Sequence, residues 1–326
     1  MKERIQYIDM AKGFAMITIV MHHLVQSNLE GDAVSTIIFF NHSFHTRLFF
    51  FLSGMVIALS GANFSRWKDT WNFGMKKTKT LLLPFVVWSV IIMPYIYERS
   101  SIHDFFQIVI APFIPPYNNY WFLLYLFVMQ MLFMGIKMIA SRLSAFVRND
   151  FWRELLVAVP FSLILFPIYE YVLIFLLGYF FFRYGKKILF SDILMAVSVC
   201  FFIVLFTCYR EYGEQNMSLL SRLFMGLSAI VTVVGFMRKL EMPCDARHRI
   251  SEWLCFIGRH SLEIYLLHFY FVWLCKDMYI SVAAIHAIPL YVMVFAVALL
   301  ICVLSSYVAD GMKKVPYVSF FLFGGH

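Results

Sequence analysis

The sequence predicts an all-α protein, a polytopic helical bundle that crosses a lipid bilayer about ten times and keeps both termini on the cytoplasmic side. Three observations predict it. The 326 residues are 62% hydrophobic and 14% charged, with a mean hydropathy of +0.77, which is more apolar surface than a water-soluble domain can bury. Several uninterrupted stretches reach the roughly 20 mainly apolar residues that a spanning helix needs. The Lys and Arg fall in short runs between those stretches, rich in one set of loops and sparse in the other, as the positive-inside rule requires.

Taken in order, the apolar stretches place spans at about 11 to 29, 39 to 60, 80 to 98, 119 to 138 and 154 to 168, then 170 to 184, 188 to 208, 220 to 238, 256 to 275 and 286 to 306. The fifth and sixth are short and parted by Pro167 and Glu170, so a bent or re-entrant pair is the alternative there. The stretch 112 to 118, which holds Pro112, Pro115 and Pro116, has to break a helix and is placed at the outer interface. The run from Phe14 is read as a retained first span, because no small-residue cleavage site follows it. No connection is long enough for a separate soluble domain, so residues 1–326 read as a single membrane domain.

The charges set the orientation. Cations crowd before the first span, at Arg4 and Lys12, and after the even-numbered spans: Arg66 to Lys79, Lys137 to Arg153, Arg183 to Lys187, Arg238 to Arg259, then Lys313 and Lys314. The opposite loops hold mainly Arg99, Arg210, Arg222 and Lys276. The formal charge of +8 therefore reads as topology and not as a nucleic-acid footprint. Six Cys without close metal-ligand spacing read mostly as small apolar side chains, with no metal site predicted. Membrane lipids are the one partner that composition alone implies; oligomeric state is left open.

Ionisable groups inside spans are costly and tend to face an ion, a substrate or each other. The first span carries Asp9, Lys12 and the pair His22-His23. Asp9 and Lys12, three apart, can pair with one another; alternatively Lys12 meets an anionic part of a ligand. His23 lies 11 residues beyond Lys12, roughly 16 Å along a helix and about three full turns round it, so the two face nearly the same way. That layout suits a long ligand with a charged head and a reactive tail. His22, about 100° away, reads as an ordinary packed polar residue.

The second span opens with His42, His45 and Arg47 and carries Ser53-Gly54 deeper, a pair that close helix packing alone would explain. His45 and Arg47 are harder to place against lipid unless they snorkel to headgroups. The ninth segment supplies Arg259, His260, Ser261, Glu263 and His268, with His268 at about the depth of His23 by the 1.5 Å rise per residue. Glu263 needs a partner, and a purely structural network would satisfy all of it. No nucleophile elbow, Walker A loop, HExxH helix or Rossmann fingerprint is present, which argues against a soluble-type hydrolase and against ATP-driven transport.

In order and spacing these residues resemble membrane-bound acyltransferase family 3. The opening pattern falls on Arg4, Asp9-Met10-Ala11-Lys12-Gly13 and His23; a Phe-His before a Phe-rich Ser-Gly segment falls on Phe44-His45 and Phe49 to Gly54. A basic cluster leading to Leu and Pro falls on Lys76, Lys77, Lys79 and Pro84, a Trp-Phe-Leu on residues 121 to 123, and the late motif on Ser261, Ile264-Tyr265-Leu266 and His268. Lys stands where the family usually has Arg at Lys12 and Lys79, which keeps the charge and loses a bidentate phosphate contact.

The resemblance implies a membrane-bound O-acyltransferase of a bacterial inner membrane. Its donor would be acetyl-CoA or another acyl-CoA, and its acceptor a sugar, glycan or lipid-linked sugar hydroxyl at or near the outer face. The expected catalytic residues are His23, as general base or as the carrier of an acyl-histidine intermediate, His45, Ser53 or Tyr265, to position the acceptor or stabilise the oxyanion, and His268. Lys12, Arg66, Lys76, Lys77 and Lys79 suit the coenzyme A phosphates, with the thin pantetheine arm reaching towards His23. The rival readings are a transporter or flippase without acyl transfer, and a non-catalytic membrane protein whose charges merely pair.

Overall fold

The computed structural model describes residues 5–30, 32–62, 64, 66–89, 120–164, 169–212, 217–241, 245–274, 280–281 and 286–325. Apart from two two-residue strands these are helices. They are α1 (Gln6–Asn28), β1 (Leu29–Glu30), α2 (Asp32–His42), α3 (His45–Ser60) and α4 (Trp67–Lys77). After a π turn at Thr78–Leu82 and helical residues 83–89 come α5 (Trp121–Arg142), α6 (Asp150–Ile164), α7 (Tyr169–Tyr184), α8 (Lys186–Leu189) and α9 (Asp192–Tyr212). The chain continues with α10 (Leu219–Leu240), α11 (Asp245–Arg259), α12 (Ser261–Trp273), β2 (Ile280–Ser281), α13 (Ala287–Lys313) and α14 (Pro316–Phe323).

Six helical stretches among the described residues are long and apolar enough to span a bilayer: Gln6–Asn28, Ala33–Ser60 (α2 and α3 with the turn at residues 43–44 between them), Trp121–Ala145, Asp192–Glu211, Leu219–Leu240 and Ile288–Lys313. They match six of the ten expected spans. The third expected span runs into residues 90–119, which lie outside the described residues, as does the Pro-rich stretch 112–118. The fifth and sixth correspond to α6 and α7, of 15 and 16 residues, with 165–168 between them outside the described residues. The ninth is divided. Helix α11 ends at Arg259, His260 is the break, and α12 has 13 residues, about 20 Å of helix at 1.5 Å per residue.

The chain forms two compact units, Met1–Ser60 with Leu173–Ala309 and Gly61–Val172 with Asp310–His326. In the first unit α1 is buried on all sides, through Met10, Ala11, Ala15, Met16, Ile17, Val20 and Met21, the pattern of an interior helix. It packs on α2, α3, α10, α11 and α12. Two glycine pairs set the closest approaches. A Cβ on Gly13 would stand 2.1 Å from the Leu254 carbonyl oxygen, and one on Gly258 1.9 Å from that of Asp9. Backbone thus meets backbone where α1 crosses α11. Gly54 of α3 and Gly178 of α7 repeat the device, with added Cβ atoms 2.0 Å from the Phe175 oxygen and 2.1 Å from the Phe51 oxygen. Close packing therefore accounts for Gly54. Beyond α1, Leu29 turns extended and pairs in parallel with Ile280.

In the second unit α5 packs on α6, and Lys137 pairs with Glu154, which is almost wholly buried. A buried carboxylate needs such a partner. The Trp88 indole N–H donates to the Leu322 carbonyl at 2.8 Å, joining residues 83–89 to α14. Pro316 starts α14 and Gly324, at φ +70°, ends it in the left-handed region.

Candidate functional site

Adjacent positions on a helix point about 100° apart, and the pair His22-His23 near the end of α1 uses that angle to face two neighbours. His23, half-buried, faces α12: its ring centroid lies 5.4 Å from that of His268 and 4.6 Å from that of Phe269. His22, buried, faces the corner between α2 and α3, with centroids 5.0 Å from His45 and 5.8 Å from His42. The His22 and His23 rings are 5.4 Å apart. Five imidazoles from four helices therefore form one chain, from His268 through His23 and His22 to His45 and His42.

Local hydrogen bonds fix how these rings sit. The His268 Nδ1 donates to the Ile264 carbonyl at 2.9 Å, one helical turn back. In the neutral ring this leaves Nε2 as an acceptor, and that atom is buried with no hydrogen-bond partner among the described residues. His45 Nδ1 donates in the same manner to the Asn41 carbonyl. The corner is held by Arg47, whose Nη1 donates to the Ser43 carbonyl at 2.8 Å and the His42 carbonyl at 3.3 Å. A cation there satisfies the last carbonyls of α2. Gly226 of α10 makes room for it, since a Cβ there would stand 2.4 Å from the Arg47 Cδ. His45 and Arg47 are both buried, so neither snorkels to headgroups. Arg47 positions the histidine corner.

Two further orphan groups sit at this corner. Neither side-chain polar atom of fully buried Asn41 has a partner among the described residues, and neither has the His22 Nδ1. His22 and His42 also line a cavity of about 520 Å³ in the first unit, with Gln26, Phe39, Tyr209 and Arg210 among its walls. An apolar cleft with a few convergent polar groups is the ordinary form of a small-molecule site.

The remaining expected residues divide. Tyr265 joins the cluster, buried, with its ring 6.0 Å from that of His268. Ser53 does not. Its Oγ donates to the Phe49 carbonyl at 2.8 Å, and it lies eight residues, about 12 Å of helix, below His45. Lys12 is half-buried on α1. In the second unit Arg66 precedes α4, exposed; Lys76 and Lys77 end it, the latter with Nζ 5.3 Å from the Phe73 ring, and Lys79 is exposed on the π turn. Glu263 is buried.

Sequence reasoning set His22 aside and left His42 and Asn41 without a role. The signals were present: adjacent histidines on one helix, and His42 and His45 only three residues apart. Among the described residues no group of three His, Cys, Asp or Glu is arranged to hold a metal ion.

An array of imidazoles, three buried, His23 half-buried and His42 exposed at its end, in a bundle of membrane-length helices marks a multi-pass membrane protein with a polar site inside its apolar body. The sequence model of the Acyltransferase domain family matches residues 5–307, and the chain belongs to that family, membrane-bound acyltransferase family 3. No curated protein and no solved structure matches it.

Proposed function

We propose that this protein transfers an acyl group, acetyl in the first instance, from acyl-CoA to a hydroxyl of a sugar or glycan acceptor, with His23 as general base. The observation that carries the reading is the placement of His23. It is the half-buried member of the imidazole chain, between His268 and His22, on the helix at the heart of the first unit, in a chain of an acyltransferase family.

In this scheme the acceptor oxygen attacks the thioester carbonyl carbon while His23 takes the hydroxyl proton. The carbonyl oxygen gains charge in the tetrahedral intermediate. Tyr265 and His45 are the proposed stabilising or positioning groups, since both lie within the ring cluster. Collapse breaks the carbon–sulfur bond, and the proton held by imidazolium passes to the departing thiolate. The ester and free coenzyme A balance the reaction. His268, held through its Nδ1, orients the His23 ring. Ser53 is given no part in this scheme, because its hydroxyl is engaged within its own helix.

Lys12 in the first unit is the proposed phosphate contact there. Arg66, Lys76, Lys77 and Lys79 in the second unit are proposed on their charge alone. We place the protein in a bacterial inner membrane, acting at the outer face.

The test is to incubate the purified full chain with radiolabelled acetyl-CoA and lipid or glycan extracts beside His23→Ala. Transfer of label by the parent, reduced about 10²–10⁴-fold in the variant, is the expected result. Movement of a solute across vesicles without consumption of donor would replace this reading with transport.

A further inference from the structure

The cavity beside His22 is set apart from Lys12 by ten residues of α1, about 15 Å of helix, and its walls have a chemistry of their own. On one side Phe39 and Tyr209 stack with ring centroids 3.3 Å apart and planes within 13°, and Phe206 lies 5.1 Å from Phe39. Stacked on one another, these rings close their facing surfaces to a ligand and give the cavity an apolar side against which the C–H groups of a saturated ring can pack. Gln26, Ser35, Thr36 and His42 supply amide, hydroxyl and imidazole groups suited to several ring hydroxyls.

The charge is one-sided. Among the described residues no Asp or Glu lines the cavity, whereas Arg210, exposed, does. At the base His22 is 8% exposed and its Nδ1 has no partner among the described residues. A buried polar atom of that kind costs free energy until something hydrogen-bonds it. The same ring stands 5.4 Å from that of His23.

We propose that this cavity is the acceptor site, and that it takes a sugar ring carrying an anionic substituent, a phosphate or a carboxylate, held by Arg210. The ring lies on the Phe39 and Tyr209 wall, a hydroxyl that does not react hydrogen-bonds to His22, and the reacting hydroxyl extends past it to His23, whose ring lies 5.4 Å from that of His22. This rests on the acyltransferase reading and adds to it the place and charge of the acceptor.

The test uses the full chain with radiolabelled acetyl-CoA and an envelope glycan extract divided on an anion exchanger into neutral and anionic pools. Parent protein, Arg210→Gln, Arg210→Lys and Thr36→Trp are compared, each checked for monodispersity. Label is expected in the anionic pool. Arg210→Gln raises the half-saturating amount of that pool about tenfold, or about 1.4 kcal/mol, with the KM for acetyl-CoA unchanged. Arg210→Lys recovers most of the loss, and Thr36→Trp, which fills the cavity, repeats the defect. Label confined to the neutral pool, an Arg210→Gln protein equal to the parent, or a change in acetyl-CoA KM instead overturns the proposal while leaving acyl transfer in place. Absence of transfer by the parent with every extract and donor overturns the acyltransferase reading, and the acceptor site with it.

Discussion

Helices α1 and α9 are both long and apolar enough to span a membrane, yet 72% of the apolar stretch of α1 is buried inside the protein against 11% for α9. Their polar residues differ accordingly. α1 carries Asp9, Lys12, His22 and His23, while α9 is apolar and exposed through Ile193, Val197, Ile203 and Val204, with Asp192, Arg210 and Glu211 kept to its ends. Ionisable groups are tolerated at membrane depth where protein surrounds them. Hydropathy finds both helices, and polarity tells which one is inside. The interior helix also pays for its place in backbone contacts, because only glycine fits at Gly13.

The contrast can be broken in order of size. His23→Ala should lower acyl transfer at least 100-fold with protein yield maintained, whereas Ile203→Leu on α9 should leave turnover at the parent level; comparable losses in the two would erase the distinction. Next comes packing. Gly13→Val places its Cβ against the Leu254 oxygen and should cost about 1–3 kcal/mol, the usual range for overpacking. Thermal unfolding in detergent reads this directly. Gly135→Ala, whose Cβ would meet nothing within 4 Å, should hold or raise the melting temperature, since alanine is favoured over glycine in a helix by about 1 kcal/mol. If Gly13→Val melts with the parent, the α1–α11 crossing is looser than described.

Charge gives the third effect. Lys12→Ala should raise the KM for acetyl-CoA several-fold and leave acceptor preference alone, while Lys12→Arg should retain donor affinity; an unchanged donor requirement in Lys12→Ala removes the residue from the phosphate contacts. The smallest effect belongs to Ser53→Ala. It loses a hydrogen bond inside its own helix, and transfer rates within about twofold of the parent are expected, because such local bonds contribute little net free energy. A 100-fold loss would restore Ser53 to the site.

Much of this was legible in the residues. The class of fold, six of the spans, and the shared depth of His23 and His268 follow from hydropathy and from a rise of about 1.5 Å per residue. The ninth span shows where that reasoning stops. Residues 256 to 275 form one apolar window, but His260 interrupts the helix there, and a window average cannot register a break. Helical-wheel geometry likewise turned His22 away from His23 correctly. It could not supply what His22 turns towards, because the α2–α3 corner is a tertiary contact fixed by Arg47 and Gly226. Ser53 is the converse case, a motif residue whose hydroxyl is taken up by its neighbour one turn back.

At the centre of this reading His23, within the imidazole chain, couples cleavage of the thioester to esterification of a hydroxyl. The most direct measurement counts free coenzyme A thiol and acylated acceptor together, for the parent and for His23→Ala. Equal molar amounts from the parent, and neither product from the variant, are the predicted result. A His23→Ala protein that releases both at the parental rate would contradict the account.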